Sequence, residues 1–503
     1  MKNPFENKEL WFFVGSQDLY GTETLQKVVG QSKKICDALD ASADIPVKII
    51  LKPTLKSQEA ILQAFHDANR NENCIGIILW MHTFSPAKMW IRGLTVNTKP
   101  LLQLNTQSNV EIPWDSIDMD FMNLNQSAHG DREFGYIMTR LNIARKVVVG
   151  HYSNLQFTAR IGKWARAATG WDALNHLKVC RIGDNMRDVA VTEGDKIEAE
   201  NKFGVRVNTW SVNELTARVK TASDKQIQAV VDEYFNNYNV VPELCPGGKK
   251  HQSLIDAARI EVGLRSFLEE IGAEAVTDTF EDLGDLKQLP GVAIQRLMAD
   301  GYGFGAEGDW KTAALVRLAK VMGYGIPGGA SLMEDYTYNL VQGKEAVLGA
   351  HMLEICPTLT SAKPNMEIHQ LGIGKKSDPV RLVFNADAKE GALVVTLLHL
   401  RDRFRMVANI VNVIRPEHDL PKLPVARALW QPEPSLEVST ECWILAGAGH
   451  HSAMTTATDY EIWENFARIA QLEFAIIDKN TTSRDFCQTL KFNQAYYKFD
   501  KGF

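Results

Sequence analysis

From Leu10 to Met322 the chain alternates short apolar runs with amphipathic stretches, and that rhythm limits the available folds more than any other feature. Leu10 to Val14, Val47 to Leu51, Ile75 to Trp80, Leu101 to Leu104 and Val147 to Val149 have the length and side chains of strands. Between several of them lie amphipathic stretches such as Thr24 to Leu39, with Leu25, Val28, Val29, Ser32, Ile35 and Cys36 on one face. Strands alternating with helices predict a parallel, doubly wound layer. Gly15-Ser-Gln-Asp-Leu-Tyr-Gly21 follows the first strand and is a ligand-loop candidate. It lacks the GxGxxG spacing, so no dinucleotide site is read there.

A second α/β run starts near His176-Leu-Lys-Val-Cys-Arg-Ile-Gly183. It continues through a helix at Lys196 to Lys202, a strand at Val205 to Trp210, helical stretches to about Asn237, and a helix from Gln252 to Ile271. After Pro327-Gly-Gly-Ala330 the texture changes to strand-rich, as in Arg381 to Phe384, Ala392 to Leu398 and Phe404 to Val411. That stretch, to about Leu445, predicts an antiparallel sheet or small barrel. The chain closes with a helix (Asp459 to Gln471), a strand (Phe474 to Ile477) and a helical tail. The fold expected is thus two doubly wound, Rossmann-like α/β domains, 1–175 and 176–327, followed by a barrel-like antiparallel domain, 328–503.

Charge and composition exclude several roles. The net charge of -6 argues against a general nucleic-acid binder, because neutralising phosphates requires clustered Lys and Arg. The basic run Arg401-Asp-Arg-Phe-Arg405 reads instead as a strand with one solvated face. No apolar run approaches the roughly 20 residues that span a bilayer. Seven scattered cysteines without a CxxC pair, and a charged start without a signal-peptide core, point to the cytoplasm.

The candidate chemistry centres on Gly301-Tyr-Gly-Phe-Gly-Ala-Glu-Gly-Asp-Trp-Lys-Thr312. Its alternate glycines leave one side of an extended segment bare, and Glu307 falls where a strand hands over to a helix. Ligands of open α/β sheets bind at such carboxyl ends, and glycine there admits a close approach to the backbone. A helix-start charge favoured by the macrodipole is the alternative reading of Glu307. Further along, Glu334, His351, His450 and His451 stand inside or at the end of apolar, strand-like runs: Ser331 to Tyr338, Leu348 to Pro357 and Trp443 to Ser452. Such groups are seldom placed there without partners. Glu307, Glu334, His351 and one of the two adjacent histidines make a mixed O/N set suited to a divalent ion, Mn²⁺ first, with Co²⁺, Mg²⁺ or Zn²⁺ as substitutes. In an extended segment His450 and His451 would point to opposite faces, giving them different jobs. Taken alone, each histidine reads more readily as an imidazole satisfied in the core or at the surface.

Five stretches carry a likeness to a known family: Trp11 to Gly21, Trp80-Met-His-Thr-Phe-Ser-Pro-Ala-Lys-Met-Trp90, Trp114 to Gln126, Gly308-Asp-Trp-Lys-Thr-Ala-Ala314 and Met333-Glu-Asp-Tyr-Thr-Tyr338. Together they resemble the L-arabinose isomerases, bacterial aldose-ketose isomerases, over nearly the whole chain.

The resemblance implies conversion of L-arabinose to L-ribulose through an enediol, with D-galactose to D-tagatose as a slower side activity. It assigns Glu307, Glu334, His351 and His451 to one Mn²⁺, has the two glutamates move the proton, and puts His450 beside the sugar. Gln17, Leu19, Phe84, Gln126, His129, Met186 and Phe280 match residues lining the family's pocket. Gln17, Leu19, Gln126 and His129 would come from a neighbouring subunit, in a hexamer by resemblance. On the residues alone, Met186 and Phe280 are equally core and Gln17 equally a turn residue. An L-fucose isomerase-like enzyme and a non-catalytic sugar-binding protein are the alternatives.

Overall fold

The computed structural model describes residues 1–372, 374–418 and 420–500. They form two compact units: residues 2–172 with 461–471, and residue 1 with 173–460 and 472 onward.

The first unit is built on a parallel sheet of Lys48–Leu51, Glu9–Gly15, Cys74–Met81, Leu101–Asn105 and Lys146–Val149, in that spatial order. Chain order 2-1-3-4-5 reverses direction between the first and third strands, so the loops leaving those strands diverge and open a crevice at their carboxyl ends. Cys74–Met81 is buried at every residue, as a central strand covered on both faces must be. Phe13, Phe65, Trp90 and Phe134 pack against one another beside it. The helix Gly21–Asp40 buries Val28, Ser32, Ile35, Cys36 and Leu39, a stripe at three- and four-residue spacing. Val29, expected on that face, is 52% exposed; one residue turns the helix by about 100° and carries it off the stripe. The return segment supplies the helix Tyr460–Ile469, whose Glu461 accepts from Lys146 and Lys163 at 2.9 and 3.1 Å.

The second unit carries another parallel sheet, in the order Gly303–Gly305, Ala275–Thr277, Lys178–Ile182, Arg206–Trp210. Ala275–Thr277 has three residues, too few to show a period in sequence. The helices Val212–Thr221 and Asp224–Asn237 each open on a reciprocal capping box, Ser211 with Glu214 and Ser223 with Gln226.

Downstream the strand-rich expectation holds, with two corrections. Lys389–His399, His451–Thr455, Ala330–Asn339, Ala346–Ala350, Arg427–Pro432 and Phe404–Ile414 pair antiparallel in that order, and Lys389–His399 also pairs with Phe404–Ile414. Glu473–Ile477 adds alongside Phe404–Ile414 in parallel, so the sheet is mixed and barrel-like rather than a simple closed barrel. Met333, Val347, Val394, Val407, Trp430 and Met454 fill its core; burying each is worth about 1.5–3 kcal/mol.

The first correction concerns Trp443 to Ser452, which is not one strand. The helix Leu436–Leu445, capped by Ser435 Oγ accepting from Val438 N at 3.3 Å, occupies its start. A short apolar run has no period that separates helix from strand, and the cap decides. The second concerns Arg403 and Arg405, which are not solvated. Both are buried on Glu473, itself fully buried, at 2.5 and 2.9 Å. No helix among the described residues is long and apolar enough to cross a membrane.

Candidate active site

The register of the C-terminal sheet brings four of the candidate residues together. Ala330–Asn339 is flanked by Ala346–Ala350 and by His451–Thr455, and Glu334 sits opposite Ala350 on one side and His451 on the other. His351 is the residue after Ala350, and His450 the residue before the last strand. A one-residue slip would turn Glu334 to the opposite face, so the convergence is a property of register. A bulge follows at once, between Asp335 and Thr337.

Glu307 arrives from the parallel sheet. It stands two residues beyond Gly303–Gly305 at φ 61°, with Gly308 at φ 84°, and a non-glycine residue in the left-handed region marks a strained turn. Its carbonyl accepts from Met186 N at 2.9 Å, and Gly308 N donates to Asp278 O at 3.0 Å. The alternate glycines serve the protein's own helix rather than a ligand. A Cβ on Gly303 would lie 2.0 Å from Ala313 O, and one on Gly305 2.1 Å from Asp309 O, both in or capping Trp310–Met322.

The donor atoms of Glu307, His450 and His451 lie within 4.8 Å of one another. His451 Nε2 is 3.9 Å from Glu307 Oε2, and His450 Nε2 is 4.0 Å from Glu334 Oε1. The His351 and His451 rings are 6.0 Å apart. The expectation that His450 and His451 face opposite ways fails: their ring centroids are 4.5 Å apart, because the strand begins at His451 and alternation does not reach back to His450. They differ in depth instead, His450 being 39% exposed and His451 2%.

Two carboxylates that sequence reasoning passed over fix the imidazoles. Asp309 Oδ2 stands 3.3 Å from His451 Nδ1, and Glu354 Oε2 is 2.5 Å from His351 Nδ1. Each pairing places a ring proton on Nδ1 and leaves Nε2 as the nitrogen that can serve a metal once it carries no proton, the arrangement of metal-binding histidines. His451 Nε2 is buried with no hydrogen-bond partner. Asp309 is also the cap of Trp310–Met322 and pairs with Lys311 Nζ at 3.0 Å. Both were visible as patterns: an Asp just ahead of a helix, and a Glu three residues after a His.

The electrostatics follow from burial and these pairs. Burial opposes charge on His351, yet Glu354, Glu334 and Glu307 raise its pKa to about 9. Asp309 is buried but held well below the usual carboxylate range by Lys311, His451 and Thr312. Burial raises Glu334, and the neighbouring Glu307 adds a lesser repulsion. Burial, then the neighbouring His451, lowers His450 to about 4. Asp278 rises to about 7 through burial and Glu354. Met186 is held beside Glu307 by its backbone, and Phe280 follows Asp278 by two residues, partly buried.

The remaining candidates lie in the first unit and assemble at its crevice. Ser16 and Thr83 hydroxyls are 2.7 Å apart, joining the loops after the first and third strands. Gln17 Nε2 donates to Phe84 O at 3.0 Å, and the Phe84 and His129 rings stack at 4.9 Å. Gln126 donates to Tyr20 Oη at 3.1 Å, while Leu19 stands 83% exposed.

Models of the L-arabinose isomerase N-terminal, central and C-terminal domains match residues 4–176, 178–325 and 329–473. The chain belongs to the L-arabinose isomerase family. An L-arabinose isomerase of Clavibacter sepedonicus is 59% identical over 497 residues, 99% of this chain and 98% of that one. One from Arthrobacter sp. (strain FB24) is 59% identical over 494 residues, covering 98% and 96%, and one from Flavobacterium johnsoniae is 56% identical over 490 residues, 97% of each. Membership in the L-arabinose isomerase family favours the aldose isomerase reading over a sugar binder without catalysis.

Proposed function

We propose that the protein interconverts L-arabinose and L-ribulose with a divalent cation, Mn²⁺ first and Co²⁺ or Mg²⁺ as substitutes, held by Glu307, Glu334, His351 and His451. The observation that carries the cation is His451 Nε2, buried and unpartnered 3.9 Å from Glu307, with its ring fixed from behind by Asp309. An orphaned buried nitrogen costs about 1–3 kcal/mol unless something binds it. When bound, the cation supplies positive charge to neighbouring sugar oxygens and holds them in place. Glu307, 3.9 Å from His451, and Glu334, 4.0 Å from His450, share the proton work: one carboxylate takes the proton from C2 of the open-chain aldose, and the other, carrying a proton of its own, donates it to C1, through a cis-enediol. General acid/base action of this kind contributes about 10²- to 10⁴-fold. His450, neutral and at the exposed edge, hydrogen-bonds a sugar hydroxyl. Met186 and Phe280 line the pocket.

Gln17, Leu19, Phe84, Gln126 and His129 form a second contact surface for the sugar. On this reading Gln17, Leu19, Gln126 and His129 complete the site of a neighbouring subunit in a homo-oligomer, a hexamer by resemblance; the exposure of Leu19 supports it. D-galactose is converted more slowly to D-tagatose. The seven free cysteines suit a reducing cytoplasm.

The test is to incubate metal-stripped and Mn²⁺-loaded protein with L-arabinose in deuterated water and assay ketose. Turnover restored by Mn²⁺, with solvent deuterium in the product, is expected. Full turnover by the stripped protein overturns the cation, and product free of solvent deuterium overturns the enediol.

A further inference from the structure

The segment that joins the strand Lys178–Ile182 to the helix Lys196–Phe203 runs along the candidate site. Met186 N donates to Glu307 O at 2.9 Å. Asn185 Nδ2 donates to Gly308 O at 3.3 Å and to Thr192 O at 2.8 Å. A Cβ on Gly308 would lie 2.5 Å from Asn185 Cα, and one on Gly449, the neighbour of His450, 3.0 Å from Val191 Cβ. The segment is thus fitted between the Glu307 turn and the approach to His450.

One buried cation fastens it. Lys311, on the first turn of Trp310–Met322, is 3% exposed, and lysine is seldom buried that far without partners. Its Nζ donates to Val191 O at 3.0 Å, Thr192 O at 3.0 Å and Glu193 O at 2.7 Å, and to Asp309 Oδ1 at 3.0 Å. An ammonium has three donors and accepts nothing, so these oxygens leave no proton over for a substrate. An ion pair at a helix start would need Asp309 alone. The other partners are successive carbonyls of the segment, whose dipoles converge on one point and repel one another unless a positive charge stands there.

We infer that Lys311 is a positioning residue: its ammonium holds residues 185–195 in the conformation that sets Met186 against the Glu307 turn and Val191 against Gly449, shaping the site without touching the sugar. The inference rests on the isomerase reading above, in which Met186 lines the pocket. Through Asp309 the same ammonium also joins this segment to the carboxylate behind His451.

Lys311→Ala, made in the intact protein, tests this, with propylammonium as the probe because it carries the atoms that the variant lacks. A cavity of about 170 Å³ borders both Lys311 and the exposed Glu193, giving a small amine a way in. Amide hydrogen exchange of residues 186–195 and kcat/KM for L-arabinose with Mn²⁺ are both read. The variant should lose exchange protection in that segment and about 10²-fold in kcat/KM, the scale on which a misplacement of about 1 Å acts. Propylammonium should restore protection and turnover together, which a general loss of stability without a vacated ammonium site would not allow. Wild-type protection in the folded variant overturns the inference, as does lost protection with undiminished kcat/KM. So does the absence of recovery in either readout up to about 100 mM propylammonium, where even a Kd of tens of millimolar would register. If its melting curve shows that Lys311→Ala does not fold, Asn185→Ala releases the segment from its other tie and should lose the same protection and turnover; wild-type values there overturn the inference equally. A wild type that leaves L-arabinose unchanged with Mn²⁺ removes the isomerase reading instead, and the exchange readout still decides whether Lys311 holds the segment.

Discussion

Replacing Asp309 tests whether one carboxylate serves both the fold and the site. It caps Trp310–Met322 through Lys311 N at 3.1 Å and Thr312 N at 3.3 Å, takes the Thr312 hydroxyl at 2.7 Å, pairs with Lys311 Nζ and meets His451 Nδ1. Asp309→Ala removes a cap worth about 1 kcal/mol. It also leaves the Lys311 ammonium, 3% exposed, with only the carbonyls of Val191, Thr192 and Glu193, and breaking a buried pair costs about 3–5 kcal/mol. The sum is about 4–6 kcal/mol, read as a lower urea midpoint by fluorescence of the adjacent Trp310. Asp309→Asn keeps the cap geometry but not the charge and should lose less. Because the folded carboxyl titrates well below its ordinary value, its contribution is complete above about pH 4 and fades as pH falls. The Asn variant should therefore show a shallower acid limb. If Asp309→Ala costs no more than about 1 kcal/mol, the carboxylate is only a helix cap and the buried-pair reasoning is wrong.

Mn²⁺ binding should release protons, since His351, raised to about 9, holds a proton that the cation displaces; calorimetry in two buffers of different ionisation enthalpy that finds no proton release would contradict this. The metal-free protein should lose stability as pH rises from about 6.5 toward 9, where the His351–Glu354 attraction is lost with the imidazolium proton, measurable as a falling melting temperature. Gly305→Ala must push its Cβ past Asp309 O and displace the start of Trp310–Met322, costing about 1–3 kcal/mol and most of the turnover, whereas retained activity would show that the turn gives way freely. Leu19→Ala should leave the melting temperature unchanged and raise KM for L-arabinose, and an unchanged KM would remove Leu19 from the sugar's surroundings.

Much of this was legible in the chain. Strands such as Cys74–Met81 declare themselves because a segment covered on both faces must be apolar throughout, and the handover at Glu307 because three glycines are costly unless something lies close. The candidate carboxylates and imidazoles stood out as polar groups in apolar runs. What escaped depended on distant partners. Arg403 and Arg405 read as solvated because Glu473, which buries them, lies some 70 residues on. The helix Leu436–Leu445 is set by one serine cap on an apolar segment without clear period. Asp309 and Glu354 acquire meaning only when the folded chain puts an imidazole in front of each.

The return of residues 461–471 to the first unit has a consequence for biosynthesis. Trp463 and Phe466, both almost fully buried there, and Glu461, the counter-ion of Lys146, leave the ribosome roughly 290 residues after Asp172. At about 5–20 residues per second the nascent amino-terminal third waits some 15–60 s with the places of Trp463 and Phe466 unfilled and Lys146 without Glu461. During that interval the first unit presents apolar surface of the kind chaperones bind.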